Sequence, residues 1–525
     1  YTLKDYIFVT SGATLTIEPG VTIYADFGTS TEAPALIITQ GSKIDANGTA
    51  AKPIIFTSSL EKTQVLTKED KGKWGGVVIL GKAKINANKQ GSGDGPNQTP
   101  MTWEVEGLPT AYIYGSGTIP AANRTYGGSD DTDNSGVLRY VSIRHGGAII
   151  GSNNELNGLT LGGVGSGTTI EYIDVYANKD DGIEFFGGTV NAKYLSVCFV
   201  GDDSFDIDDG YKGHLQYLFT VQDSSSNCAF EWDGASESTD KGYTADGALE
   251  YSYPFISNVT AIGAGATTTG SSSKGLDIRD NAGGFMFNSI FTEFPETTLK
   301  IEKTTGTKGT VNAATGSQGS QALLETNLLG FKGVMFYNGG DGNTDAGVVN
   351  DSSDAAAVEP LVFASANKNL SSTDPKLLDD DSNDTYALVL PFPGAGSPAL
   401  SDYATVSDTS YITQTTYKGA FADATPSSNW MAGWTAYSDL HPNTYFYYTP
   451  SSTTSTSSSS STASGSSLMN ISTRGYVGTG DSQMIAGFIL KSNSTVTIRA
   501  LGPTLNSAFG VTGVLANPTM SVVNQ

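Results

Sequence analysis

A chain of 525 residues with 63 glycines, 16% charged residues and a formal net charge of −24 is suited to tight turns and has no basic footprint. That balance excludes a nucleic-acid binder, which needs clustered Lys and Arg against phosphate, and a protein held on anionic membrane surfaces. No apolar run reaches the roughly 18 residues of a spanning helix, and two cysteines do not make a disulfide scaffold.

The chain opens at Tyr1 without Met, the pattern of a secreted protein after signal-peptide removal, so an extracellular or cell-surface setting is expected. Residues 1–60 hold strand-length β-branched runs ("ATLTIEPGVTIYA", "ALIITQGSKIDA", "KPIIFTS") punctuated by Gly and Pro. No amphipathic capping helix precedes them, which predicts bare strand edges at the start.

"KGKWGGVVILGKAKIN" (71–86), with "EFFGGTVNAKYL" and the later "GAFADATPSSNWMAGWTAY", resembles secreted bacterial β-helix proteins of the Bacteroidetes type over roughly 74–440. The resemblance implies a secreted right-handed parallel β-helix and carries no catalytic residues. Residues 88–136 are too polar for core and are expected to be an excursion from the coil.

From Thr169 to Trp232 the same pattern is written three times. Superposition puts Ile173, Leu195 and Phe219 in one column and Val175, Val197 and Val221 in the next. Ile183, Phe205 and Phe230 form a third column, and Phe185, Ile207 and Trp232 a fourth. Short strands repeating in the twenties, with Gly, Asn and Asp turns between them, are the signature of a solenoid. One unit cannot bury its own apolar face, but stacked units share a core. The expected fold is therefore all-β: a right-handed parallel β-helix over 1–400, of about a dozen coils. Further excursions are expected at 233–253 and 303–330.

Residues 401–449 are aromatic-rich (Trp430, Trp434, Tyr445–Tyr448) and are expected to cap or strap the solenoid. Residues 450–467 are nearly pure Ser and Thr, a linker by composition. Residues 468–525 ("STRGYVGTGD", "TIRALGPTL", "GVTGVLANPTMSV") resemble the opening strands of a Verrucomicrobial-type immunoglobulin-like module. A partial β-sandwich leaves strand edges bare. Completion by another copy, with a strand near Tyr6–Thr16 added head to tail, would propagate a filament.

Between the inward columns, Glu184, Asp206, Glu231 and Asp277 fall at one outward position of successive coils, with Lys300 following. Asp208 and Asp233 fall two positions on, with Arg279 next. At a coil spacing of about 4.8 Å, like charges repel by about 3 kcal/mol at an effective dielectric of 20. Three readings stay open: a solvated face softened by Arg279 and Lys300, Ca²⁺ binding by Asp206, Asp208, Glu231 and Asp233, or a catalytic groove. "GDDSFDI" resembles the Asp-rich strand of β-helical polygalacturonases, but that family's Gly-His-Gly and Arg-Ile-Lys elements are missing.

Asp341, Asn343 and Asp345 in "DGNTDAG" have the alternate spacing of a calcium loop, without its Gly at position six or Glu at position twelve, so an Asx-rich turn competes. His145, His214 and His441 lack zinc spacing. Cys198 and Cys228 lie in adjacent coils, and either a disulfide or two buried thiols fits. Two functions follow. The first is a non-catalytic structural subunit of an extracellular fibre or surface layer, partnered by its own copies. The second is a carbohydrate-active enzyme or glycan-binding adhesin that uses the acidic face on a polysaccharide.

Overall fold

The computed structural model describes residues 1–26, 33–86, 102–108, 111–112, 117–151, 154–234, 251–303, 312–378, 390–423, 425 and 428–440. They belong to the compact unit Tyr1–Ser451; a second unit, Ser452–Gln525, lies outside the described residues. The linker at 450–467, the immunoglobulin-like portion at 468–525 and His441 therefore lie outside them too.

Two parallel sheets carry the fold among the described residues, one of nine strands and one of fourteen. The nine-stranded sheet stacks one short strand per coil, against the dozen coils expected from length. Strand Phe205–Asp208 shows why it forms. Phe205 and Ile207 are fully buried and alternate with Asp206 and Asp208, so one face feeds the core and the other turns outward. In the turn after strand Ile183–Phe186, Gly187 and Gly188 take φ values of 65° and 80°, and a Cβ on Gly188 would lie 2.5 Å from the Val164 carbonyl oxygen.

The longer strands of the other sheet bend at a left-handed residue. Tyr140, Tyr172, Tyr194 and Tyr217 have φ of 49°, 56°, 63° and 62°. Such a conformation costs a non-glycine residue about 1–2 kcal/mol. Stacking offsets it: ring centroids lie 4.2 Å apart for Tyr140–Tyr172, 4.3 Å for Tyr172–Tyr194 and 4.9 Å for Tyr194–Tyr217. An aromatic pair contributes about 0.5–1.5 kcal/mol beyond its buried area.

The register agrees with two expected columns and corrects two. Ile183, Phe205 and Phe230 align, as do Phe185, Ile207 and Trp232. Leu195, however, pairs with Leu218 and Val197 with Thr220, not with Phe219 and Val221. The inserted residues of the third coil fall in the turn after Val221, so its first strand advances by only 23 residues. Phe219 and Val221 instead face outward, where residues 390–437 bury them. There Phe421 stacks on Trp430 at 5.4 Å, and the Asn258 amide donates to Thr415 Oγ1 at 3.0 Å and to the Gly419 carbonyl at 3.1 Å.

A second cover lies on the other sheet. Val105, Leu108, Ile119 and Tyr126 pack on the outward Ile37, Val78, Leu80 and Phe186. At the far end the core is continued by helices rather than strands. Leu323 and Leu324 of Gly319–Glu325 and Val358 and Val362 of Ala355–Val362 join the main cluster. No helix among the described residues is long and apolar enough to cross a membrane.

Candidate metal centre

Strands Leu159–Gly162, Ile183–Phe186, Phe205–Asp208, Cys228–Asp233, Lys274–Arg279 and Leu299–Ile301 lie side by side. Their register lines up Thr160, Glu184, Asp206, Glu231, Asp277 and Lys300 in one outward row. Asp233 pairs with Arg279 in the next row. Although this face points away from the core, it is only partly open to water: Glu184, Asp233 and Asp277 are buried, whereas Asp206, Glu231, Arg279 and Lys300 are half-buried.

Positive charge is unevenly spread along the row. The Arg279 guanidinium bonds Glu231 at 2.8 Å and Asp233 at 2.7 Å, and Lys300 bonds Asp277 at 2.8 Å. Among the described residues no Lys or Arg pairs with Asp181, Glu184, Asp203 or Asp206. Burial first, and neighbouring carboxylates second, push Glu184, Asp206, Asp203 and Asp181 well above the usual carboxylate range. Burial raises Asp233 to about 7 against the pull of Arg279, and Asp209 to about 6 against the hydrogen bond from Tyr126. Fully ionised, the acids without a basic partner repel one another.

The turn before each strand adds more acids. Asp181 Oδ1 accepts the Asp203 N–H at 2.8 Å, and Asp203 Oδ1 accepts the Cys228 N–H one coil on. The Asn157 amide donates to Glu184. Ligand atoms of Asp181, Glu184 and Asp206 lie within 4.8 Å of one another; so do those of Asp180, Asp181 and Asp202, and those of Asp203, Cys228 and Glu231. Thr160 Oγ1, Asn157 Oδ1, Asp206 Oδ1 and Asp277 Oδ1 are buried without a hydrogen-bond partner. Buried oxygens left unmatched are costly, and a divalent cation matches them. The donor set is almost all oxygen, which suits a hard ion such as Ca²⁺.

Of the expected ligands, Asp206 stands in the row without a basic partner, and Glu231 stands in it bonded to Arg279 at 2.8 Å. Asp208 turns back to its neighbour's backbone, accepting the Asp209 N–H at 2.6 Å, and Asp233 is taken by Arg279. Asp341 accepts from the Thr298 N–H at 2.9 Å, Asn343 Oδ1 from the Asn338 N–H at 2.5 Å, and Asp345 from the Ser371 hydroxyl at 2.5 Å. Those three side chains serve separate turn contacts. Cys198 and Cys228 are both free and buried. Asp181 and Asp203 were not expected as site residues. Their signal was present, since "KDDGIEF" and "GDDSFDI" repeat an Asp-Asp pair at one offset from the strand.

A family model for the pectate-lyase like beta helix domain matches residues 1–322. The chain belongs to that family. Among solved structures it is similar to the crystal structure of pectate lyase Pel9A, with 13% identity and a TM-score of 0.35, covering 78% of this chain and 89% of that one. No curated protein matches it. In this pectate-lyase-like β helix, the acid row runs along one sheet, and its clustered carboxylates have the donor chemistry of a hard-cation site.

Proposed function

We propose that this chain is an extracellular bacterial protein that binds an acidic polysaccharide through a divalent cation on the outer acid row. One observation carries the reading: Asp181, Glu184 and Asp206 converge within 4.8 Å with no basic partner among the described residues. The buried, unpartnered Asp206 Oδ1 reinforces it. A cation held there neutralises the carboxylates and offers its remaining positions to the carboxylates of a uronate chain.

Binding without turnover is the simpler account, because the nearby bases are occupied. Arg279 is spent on Glu231 and Asp233, and Lys300 on Asp277. Turnover is a second reading, favoured by Glu184 and Asp206: these carboxyls stand opposite each other in register, and burial raises both, so one can hold a proton while the other is ionised. The fibre reading draws on the strands around Tyr6–Thr16 and on residues 450–525, the latter outside the described residues, and is independent of this row.

The test is calorimetric titration with polygalacturonate and neutral dextran, each with Ca²⁺ or with EDTA. The proposal expects heat only for polygalacturonate with Ca²⁺, lost in Asp206→Asn. Binding that survives EDTA would refute the cation bridge. Release of unsaturated or shortened products would decide for the enzyme.

A further inference from the structure

Beyond the Asp181–Glu184–Asp206 group, the column of turn acids ends in a thiol. Strand register places Asp206 opposite Glu231 and Phe205 opposite Phe230. The column that holds Asp181 and then Asp203 therefore arrives at Cys228. The same backbone clamp recurs at each step. Asp181 Oδ1 holds the Asp203 N–H at 2.8 Å, and Asp203 Oδ1 holds the Cys228 N–H. Each clamp occupies one carboxylate oxygen, Oδ1.

We propose that Asp203, Cys228 and Glu231 form a second metal site, one that takes a thiophilic divalent cation such as Zn²⁺ or Cd²⁺ rather than Ca²⁺. Their ligand atoms lie within 4.8 Å of one another, and Glu231 is also bonded to Arg279 at 2.8 Å. An independent observation points to a ligand at this place. Asp277 is 3% exposed, stands opposite Glu231 in register, and keeps Oδ1 buried without a partner. Lys300 satisfies only the other oxygen, at 2.8 Å. A thiolate with carboxylates selects borderline and soft ions, whereas oxygen-only groups select hard ones.

Occupancy requires one proton to leave. The Cys228 S–H bond breaks, the sulfur–metal bond forms, and the proton passes to solvent. Burial holds the free thiol well above its ordinary range, so the metal supplies the drive for ionisation. Lys274 stands in register with Cys228, and its Nζ lies 3.8 Å from Glu296.

The site is tested by titrating the full chain with Cd²⁺ and recording thiolate-to-cadmium charge-transfer absorbance. One equivalent is expected to develop the band, which persists under excess Ca²⁺ and in Cys198→Ser but is lost in Cys228→Ser. Asp203→Asn is the second variant, independent of any folding defect in Cys228→Ser. It keeps an oxygen for the Cys228 N–H and retains the thiol, and it should weaken Cd²⁺ by about tenfold or more. A band unchanged by both variants, no band in the parent chain, or displacement by Ca²⁺ would overturn the proposal. Polygalacturonate binding with Ca²⁺ is measured on the same variants. Its retention in Cys228→Ser separates this site from the first.

Discussion

Glu184 stands directly across from Asp206 on neighbouring strands, and neither has a Lys or Arg partner among the described residues. Two carboxyls so placed cannot both ionise cheaply in a buried setting. Removing one should therefore help the metal-free protein. In EDTA, Asp206→Asn is expected to raise unfolding stability by about 1 kcal/mol, while abolishing the stabilisation that Ca²⁺ gives the parent. Denaturant midpoints with and without Ca²⁺ check both halves. A less stable variant in EDTA would mean that the carboxylate is already compensated.

The tyrosine column makes a prediction in which two effects oppose. Tyr194 stacks on Tyr172 at 4.3 Å and Tyr217 at 4.9 Å while its backbone sits at φ 63°. Tyr194→Ala loses the stack and keeps the strained backbone, at a cost of about 3 kcal/mol. Tyr194→Gly loses the same stack but relieves the left-handed strain, and should be about 1 kcal/mol the better of the two. Thermal unfolding of the pair tests the ordering, which is the reverse of the usual preference for Ala over Gly.

Asp174 fastens the outer cover to the solenoid. It is fully buried and accepts from Ser142 Oγ at 2.6 Å, Ser196 Oγ at 3.1 Å and the Ala436 N–H at 2.9 Å. Asp174→Ala leaves those donors unmatched, at about 1–3 kcal/mol each where burial persists. The expected result is faster hydrogen exchange and proteolysis across 428–440, with the sheet strands still protected. Uniform loss of protection would place Asp174 in the global fold instead.

His145 gives a pH prediction of definite sign. It is 2% exposed, and its Nδ1–H donates to the Asp70 carbonyl at 2.8 Å. Burial, assisted by Arg144 and Lys73, lowers its pKa from 6.5 to about 4. The folded value lies below the unfolded one, so folding favours the neutral ring. Its contribution is complete above pH 6.5 and is lost as pH falls toward about 4, up to about 3 kcal/mol. The raised carboxyls of the acid row act in the opposite direction, so the comparison must be with a variant. His145→Asn tolerates the φ of 63°, and the parent should lose stability relative to it between pH 6.5 and 4. Parallel curves would contradict this.

The parallel β-helix and the acid row could both be read from spacing, because coil register sets them together. Once Ile183, Phe205 and Phe230 align, Glu184, Asp206 and Glu231 must align too. Other features were hidden for physical reasons. The slip at Phe219 arose because superposition distributed an insertion that the chain confines to one turn. The left-handed tyrosines were invisible because propensity disfavours φ > 0 at Tyr, and only the stack across coils offsets it. The turn acids Asp181 and Asp203 looked like ordinary Asx turns until their oxygens were seen to clamp the next coil. The short helices carrying Leu323 and Val358 took stretches expected to be loop or coil, since tertiary burial at the core's end decides them.

The central claim is that a divalent cation sits among Asp181, Glu184 and Asp206. Its most direct test is an anomalous difference map from crystals of the full chain grown with Ca²⁺ and then soaked in a lanthanide. The account predicts a peak bounded by those three carboxylates, absent in Asp206→Asn crystals. An ordered acid row with no peak, or a peak only at Asp341–Asp345, would contradict it.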